Sequence, residues 1–366
     1  MNKRLIIFMP SIEGGGVEKN LFIISNYLAK NLEGIKLISA NKNIKKLLHK
    51  QIDFIHPKSN FWINKKRKLK YFICLWILLK EIIKNRNVVV LSFQANIYSI
   101  FLSKLLGVTI ISRSNSSPSG WSRNIIKRAI FKFILNKADK IIVNSHDFKK
   151  ELNNLFNVKP ICIYNPLNKN QIIHLGNEKI KNNYFNNKKK LNIINIGRFT
   201  DQKDHITLIK AINLIKNKIS TKVLIIGRGT NEKNMRFNIS KYKLNKIIKI
   251  IPFQKNPFPY LKKSSLFVLT STFEGLPNVL LESQVFKKFI ISSNCPTGPR
   301  EILNNGKYGY LFKIGDHIEL SKKILLYYKN RKKLQKMINL GYKNLNRFDF
   351  NLNLKKYLNI VKFFLN

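Results

Sequence analysis

The sequence predicts an α/β protein built from two doubly wound domains with parallel sheets, on three observations. Its 366 residues exceed what one ordinary core holds and fit two domains. Short apolar runs alternate with longer amphipathic stretches, which is the pattern of βαβ units rather than of a bundle or an all-β fold. The alternation also breaks off and restarts after a polar stretch at 176–190. With 44% hydrophobic and 11% aromatic residues, the chain can fill two such cores despite its charge.

In order along the chain, the first half offers strand-like runs at 5–9, 35–39, 88–92, 109–112, 140–144 and 160–164. Helical spacing lies between them, at 17–30 behind three glycines and at 121–135 behind Pro118. The second half offers strands at 191–196, 222–226, 247–251, 266–270 and 289–293. The expected organisation is a first domain over 1–175, a linker at 176–190, a second domain over 191–348, and a terminal helix over 349–366 that packs back on one of the two domains, with the first as the candidate.

Sixty-eight Lys and Arg against 18 Asp and Glu give a net charge of +50, enough to draw any polyanion: nucleic acid, anionic membrane or a phosphorylated substrate. The cations are 56 Lys and only 12 Arg in a chain crowded with Asn and Ile, so AT-rich coding is an alternative source of the excess. Residues 41–90 carry 13 Lys or Arg, among them Lys65, Lys66 and Lys68, against Asp53 and Glu81 alone. Phe61, Trp62, Tyr71 and Trp76 interleave with them. Such a stretch suits an anionic lipid surface, or is a solvated helix in a Lys-rich protein. No apolar run approaches the ~20 residues of a membrane span, and the opening run before Pro10 is too short for a signal peptide. Cys74, Cys162 and Cys295 form no CxxC, which points to a reducing compartment and away from a disulfide framework or a zinc site.

The window 264–303 is neutral in this basic chain, with Glu274, Glu282 and Glu301 matched by Lys287, Lys288 and Arg300. It parses as strand, loop, helix, strand, loop, helix. Glu274 falls in the loop at a strand's carboxyl end, where open α/β sheets bind ligands. Pro277 suits the first position of the next helix, and Glu282 lies about one and a half turns into it. The first amides of that helix and the Gly275 backbone can hold an anion such as a diphosphate. The two carboxylates can accept hydrogen bonds from hydroxyls on either side of it, as in a nucleotide sugar. The alternative for the same residues is a helix-capping Glu274 and a surface Glu282. Arg198 and Lys203, after the strand at 191–196, are placed to neutralise phosphate oxygens. Gly14, Gly15 and Gly16 follow the first strand without completing a dinucleotide fingerprint, which disfavours a nicotinamide enzyme.

Taken together, GGGVE, GRFTDQKD with LIKAI behind it, LIIGRG, IIPFQKNPFPYL, EGLPNVLLES, and CPTGPREIL followed by NGKYGYLF resemble the retaining glycosyltransferases of family 4. The likeness runs over nearly the whole chain and is strongest over 191–316. It implies the GT-B fold, two Rossmann-like domains facing across a cleft, and transfer of a hexose or N-acetylhexosamine from a nucleoside diphosphate sugar with retention. By the same likeness Glu274 holds the donor sugar's hydroxyls with the Gly275, Leu276 and Pro277 loop, and Glu282 holds the ribose. Arg198 and Lys203 stabilise the diphosphate leaving group, and Gly15 and Gly16 approach the donor phosphates or the acceptor. Arg228 and Phe253 sit near the nucleobase. The CPTGPREIL variant is similar to that of enzymes using UDP-linked amino sugars, which favours UDP over GDP.

The likeness implies a glycan acceptor, lipid-linked in surface polysaccharide or lipopolysaccharide assembly, and a cytoplasmic enzyme on the inner face of the membrane. One departure is that the amino-terminal histidine of several family members is replaced in ISRSNSSP by Arg113, Ser114 or Asn115. No Asp-x-Asp occurs and the six histidines, His146 included, show no ligand spacing, so no metal or other cofactor is expected. The rival reading is a basic nucleic-acid-binding protein without transferase activity. It lacks any recognisable binding motif, so no specific nucleic acid is expected as partner.

Overall fold

A computed structural model describes residues 3–12, 14–115, 118, 121, 124–180, 184–185 and 189–366. It divides into two compact units, residues 1–166 with 350–366, and residues 167–349.

The first unit runs β1 Arg4–Phe8, α1 Gly16–Ala29, β2 Lys36–Ile38, β3 Asp53–Ile55, α2 Arg67–Lys84, β4 Val88–Ser92, α3 Asn96–Leu105, β5 Thr109–Arg113, α4 Ile125–Leu135, β6 Lys140–Val143, α5 His146–Phe156 and β7 Ile161–Cys162. Its sheet order is β3-β2-β1-β4-β5-β6-β7, all parallel. Strands such as VVVLS of β4 are buried throughout, because helices cover both faces of a parallel sheet. On one face Leu21, Ile24 and Leu28 of α1 pack with Leu354 and Tyr357 over Leu5, Ile7 and Leu91. On the other, Cys74 and Leu78 of α2, Ile100 of α3, Leu135 of α4 and Phe148 of α5 cover Ile6, Phe8, Val90 and Ile110.

The second unit continues with α6 Lys169–Leu175, β8 Leu191–Ile196, α7 His205–Ile215, β9 Thr221–Gly227, α8 Glu232–Lys241, β10 Ile248–Pro252, α9 Phe258–Lys263, β11 Leu266–Leu269, α10 Asn278–Val285, β12 Phe289–Ser293, α11 Pro299–Ile302, β13 Tyr310–Phe312, α12 His317–Asn330 and α13 Gln335–Asn344. Its parallel sheet has the order β10-β9-β8-β11-β12-β13. The last helix, α14 Phe350–Leu365, belongs to the first unit. There the fully buried Tyr357 hydroxyl accepts from Arg113 Nε at 2.8 Å, and Arg113 Nη2 donates to Asn165 at 2.8 Å.

Several boundaries differ from the sequence expectation. The first unit ends at 166 rather than 175, because Leu167 N donates to Phe348 O at 2.9 Å and the Asn256 side chain binds Leu175 O at 2.8 Å, tying α6 to the second unit. Within the expected linker 176–190, residues 181–183 and 186–188 lie outside the described residues, while Phe185 is buried and Tyr184 Oη donates to Ile247 O at 2.9 Å. Of the helix expected at 121–135, residues 122 and 123 lie outside the described residues. The helix itself starts at Ile125, where the Asn124 side chain caps Lys127 N at 3.0 Å. Among the described residues no helix is long and apolar enough to cross a membrane.

Candidate active site

In each sheet the strand order reverses once. In the second unit the chain leaves β8 toward β9 and β10 on one side and returns to β11 on the other. The carboxyl ends of β8 and β11 therefore open the crevice at which doubly wound sheets bind ligands. Because all these strands are parallel, the loops after β8, β9, β10, β11 and β12 emerge along one sheet edge.

Two loops are fastened together there. Lys203 Nζ is ion-paired with Glu274 Oε1, and both side chains are largely buried, 15% and 9% exposed. Ser271 Oγ donates to the same Glu274 oxygen at 2.6 Å. The backbones are joined as well: Thr272 N donates to Gln202 O at 2.8 Å, Gln202 Nε2 to Phe273 O at 2.8 Å, and Thr270 Oγ1 to Lys203 O at 2.8 Å. Asp204, in a left-handed conformation with φ 41°, ends the Lys203 turn and caps α7 through Thr207 N. Glu274 thus caps no helix. It is a carboxylate held by one cation and one hydroxyl.

A third loop closes on the second. Thr297 Oγ1 donates to Glu274 O at 2.6 Å, and Thr297 and Gly298 are both left-handed, at φ 58° and 79°. A Cβ on Gly298 would lie 2.3 Å from Gly275 O and 2.6 Å from Pro277 Cδ, so glycine is demanded twice over. Gly275, Leu276 and Pro277 are all buried. Pro277 is the N-cap of α10, with φ −71° and ψ 102°, rather than its first helical residue. Glu282 is not a surface residue: it is buried on α10.

Among the other expected residues, Arg198 is exposed on the turn after β8. Arg228, after β9, lies over the half-exposed Phe253 ring of the loop after β10, 5.1 Å from its centroid. The structure thus joins Lys203 to Glu274 and Arg228 to Phe253. Gly15 and Gly16 lie in the first unit, at the N-cap and first residue of α1, beside that sheet's own reversal between β1 and β4. Arg113 is fully buried and bonded to Tyr357 and Asn165.

Sequence reasoning missed Ser271, Gln202, Thr297 and Cys295. The Ser-x-x-Glu spacing of Ser271 and Glu274 was an available signal. Burial, then the Glu274 charge, push the Cys295 thiol up to about 12, so it stays protonated beside the ion pair. His205, packed edge-on against Phe199 at 5.3 Å, is pushed from 6.5 down to about 3 by burial and then by Lys203. It is neutral in the fold, whereas the unfolded chain protonates it below about pH 6.5. The stability that His205 contributes is therefore complete above that pH and falls as the pH drops toward 3. Between pH 7 and pH 5 the loss is about 2 kcal/mol. Urea unfolding at the two pH values should show that loss in wild type and its absence in His205→Gln. Equal losses in both would contradict the assignment.

Two Rossmann-like, parallel-sheet units in series, the second with its ion pair at the strand reversal, form the GT-B architecture of glycosyltransferases. Residues 14–171 match the model of Glycosyltransferase Family 4 and residues 176–344 that of Glycosyl transferases group 1, and these matches support a glycosyltransferase of the family 4 type. The chain is 34% identical over 201 residues to an uncharacterized glycosyltransferase of Methanocaldococcus jannaschii, spanning 50% of each protein. It is 25% identical over 329 residues, 85% of this chain and 86% of the relative, to the N-acetylgalactosamine-N,N'-diacetylbacillosaminyl-diphospho-undecaprenol 4-alpha-N-acetylgalactosaminyltransferase of Campylobacter jejuni. The crystal structure of Anabaena HepE in complex with UDP superposes with a TM-score of 0.78 at 14% identity, covering 98% of this chain and 99% of that one. The rival nucleic-acid reading is not favoured by these matches.

Proposed function

We propose that the protein is a retaining transferase that moves a hexose or N-acetylhexosamine from a nucleoside diphosphate sugar to a lipid-linked glycan, without a metal, on the cytoplasmic face of the membrane. The observation that carries this reading is the buried Lys203–Glu274 pair at the carboxyl ends of β8 and β11. A lone buried pair contributes little stability for its desolvation cost, which argues for a task beyond structure. A diphosphate entering there competes for the Lys203 ammonium, with Arg198 as a second cation. Glu274, still held by Ser271, turns its carboxylate to the sugar hydroxyls. Glu282 on α10 serves the ribose, and the Arg228–Phe253 stack offers a platform for the base.

In the retaining step the bond from the sugar's anomeric carbon to the phosphate oxygen breaks while the acceptor oxygen bonds to the same face. The acceptor proton passes to the leaving phosphate oxygen. Lys203 and Arg198 stabilise the charge that develops on that phosphate. UDP is favoured because HepE was crystallised with UDP, and the lipid-linked acceptor because the Campylobacter relative's name specifies a diphospho-undecaprenol substrate and an N-acetylgalactosaminyl group. Surface polysaccharide or lipopolysaccharide assembly is the setting that follows.

Calorimetric titration with UDP and GDP at raised salt, which suppresses nonspecific attraction of anions, tests this reading. Saturable UDP binding is expected, unchanged by EDTA and weakened about 10- to 100-fold in Glu282→Ala, the loss of a charge-assisted hydrogen bond. Absence of binding by both nucleotides would remove the proposal, and GDP binding in place of UDP would reassign the donor.

A further inference from the structure

Helix α3 carries apolar side chains on both its faces. Its buried side holds Ser99, Ile100 and Ser103, while Tyr98, Phe101 and Leu105 point outward, 58%, 58% and 71% exposed. These three recur at i, i+3 and i+7, a single stripe. Its neighbours repeat the arrangement. On α4, Ile126, Ile130 and Phe133 recur at i, i+4 and i+7 and are exposed on the side away from the buried Leu135, and Ile125 is exposed in the first turn. On α2, Phe72 and Trp76 form an exposed stripe with Lys80, whose ammonium sits 5.2 Å from the Trp76 ring centroid. The three helices contact one another in sequence and share one face of the first sheet. Monomeric soluble proteins rarely expose adjoining apolar stripes on this scale without a partner for them.

Charge identifies the partner. Residues 54–138, which contain all three helices, hold 16 Lys and Arg and one acid, Glu81. That acid is already paired, to Lys36 at 2.6 Å and Lys84 at 2.8 Å. Lys127, Arg128 and Lys132 are exposed around α4, and Lys66, Arg67 and Lys68 stand exposed at the start of α2. Cations with aliphatic stems around aromatic and aliphatic side chains fit lipid headgroups above acyl chains. A second copy of the chain would bring the same dense positive charge against itself.

We infer that the outer face of α2, α3 and α4 docks on an anionic bilayer, with the apolar stripes of all three helices inserting below the phosphates and the lysines engaging them. The Lys65–Lys68 stretch that the sequence singles out stands at the start of α2, at one end of this face. It deepens the peripheral placement proposed above. Vesicle binding needs neither donor nor acceptor, so its failure and a failure of nucleotide binding are separate results.

The test is flotation with vesicles of phosphatidylethanolamine and phosphatidylglycerol, against phosphatidylcholine alone. Wild type should float with the anionic vesicles, and Ile126→Ser with Phe133→Ser should lower the partition at least about 10-fold while leaving UDP affinity and circular dichroism unchanged. Raised salt should weaken the binding and leave the apolar part. Brominated acyl chains should quench tryptophan fluorescence in wild type and not in Trp76→Phe. Undiminished flotation of the double variant, or equal binding to neutral vesicles and no dependence on salt, would overturn the inference. So would a solution dimer that the same substitutions split without any vesicle binding.

Discussion

Glu274→Ala is expected to lower sugar transfer about 10³-fold, the scale seen when a preorganised electrostatic group is removed from a transferring centre. It should also destabilise the second unit by about 3 to 5 kcal/mol, because the Lys203 ammonium is left largely buried without its carboxylate. The two effects have separate origins and can be separated. Lys203→Met combined with Glu274→Leu removes both charges together, so stability should recover most of what the single substitution lost. Activity should not recover, since neither the sugar hydroxyls nor the leaving phosphate then meets a charged partner. Denaturant unfolding and product formation on the two single variants and the double variant give the comparison. Were the double variant to regain activity along with stability, the pair would be a structural clasp and the site would have to be sought elsewhere.

The strands of both sheets were legible wherever the chain runs apolar through a doubly covered layer, as at Val88–Ser92 and Phe289–Ser293. Two strands were not, Asp53–Ile55 and Tyr310–Phe312, each three residues long at a sheet edge and partly exposed, so no apolar run marks them. Sequence spacing also places Lys203 and Glu274 71 residues apart, with nothing to say that they touch. Their meeting is a product of β8 lying beside β11, with Ile193 opposite Leu266, which is a tertiary fact. The stripe Tyr98, Phe101, Leu105 shows a different limit. Periodicity finds an apolar face on a helix, and by itself assigns that face to the core. Here the core takes Ser99, Ile100 and Ser103 instead, which only the packing shows. Likewise the charge count of α2 does not say which way its apolar side chains face, and Phe72 and Trp76 lie on the exposed side.

The LIIGRG turn supports a second large effect, this time on the fold beneath the site. A Cβ at Gly227, the last residue of β9, would stand 1.9 Å from Gly197 O and 2.8 Å from Phe199 Cε1. Gly197 is itself bonded to β9, its N–H donating to Ile226 O at 3.0 Å, so the backbone oxygen cannot swing away without breaking the ladder. Phe199 is fully buried and packs on His205, so it has no room to retreat. Gly227→Ala must therefore spread the ends of β8 and β9, carrying with them the turn that bears Arg198 and Lys203. The expected cost is about 3 kcal/mol or more, at the upper end for overpacking. UDP affinity should fall at least about 100-fold through displacement of the lysine, since each 1.4 kcal/mol lost is tenfold. Gly315→Ala provides the contrast. Gly315 is left-handed at φ 75° but has nothing within 4 Å of the added carbon, so it should lose only the about 1 to 2 kcal/mol of backbone strain and keep its nucleotide affinity. Hydrogen exchange across the second unit and UDP titration would rank the two. If Gly227→Ala proved no more damaging than Gly315→Ala, the close approach of β9 to the Gly197 turn would not be what positions Lys203.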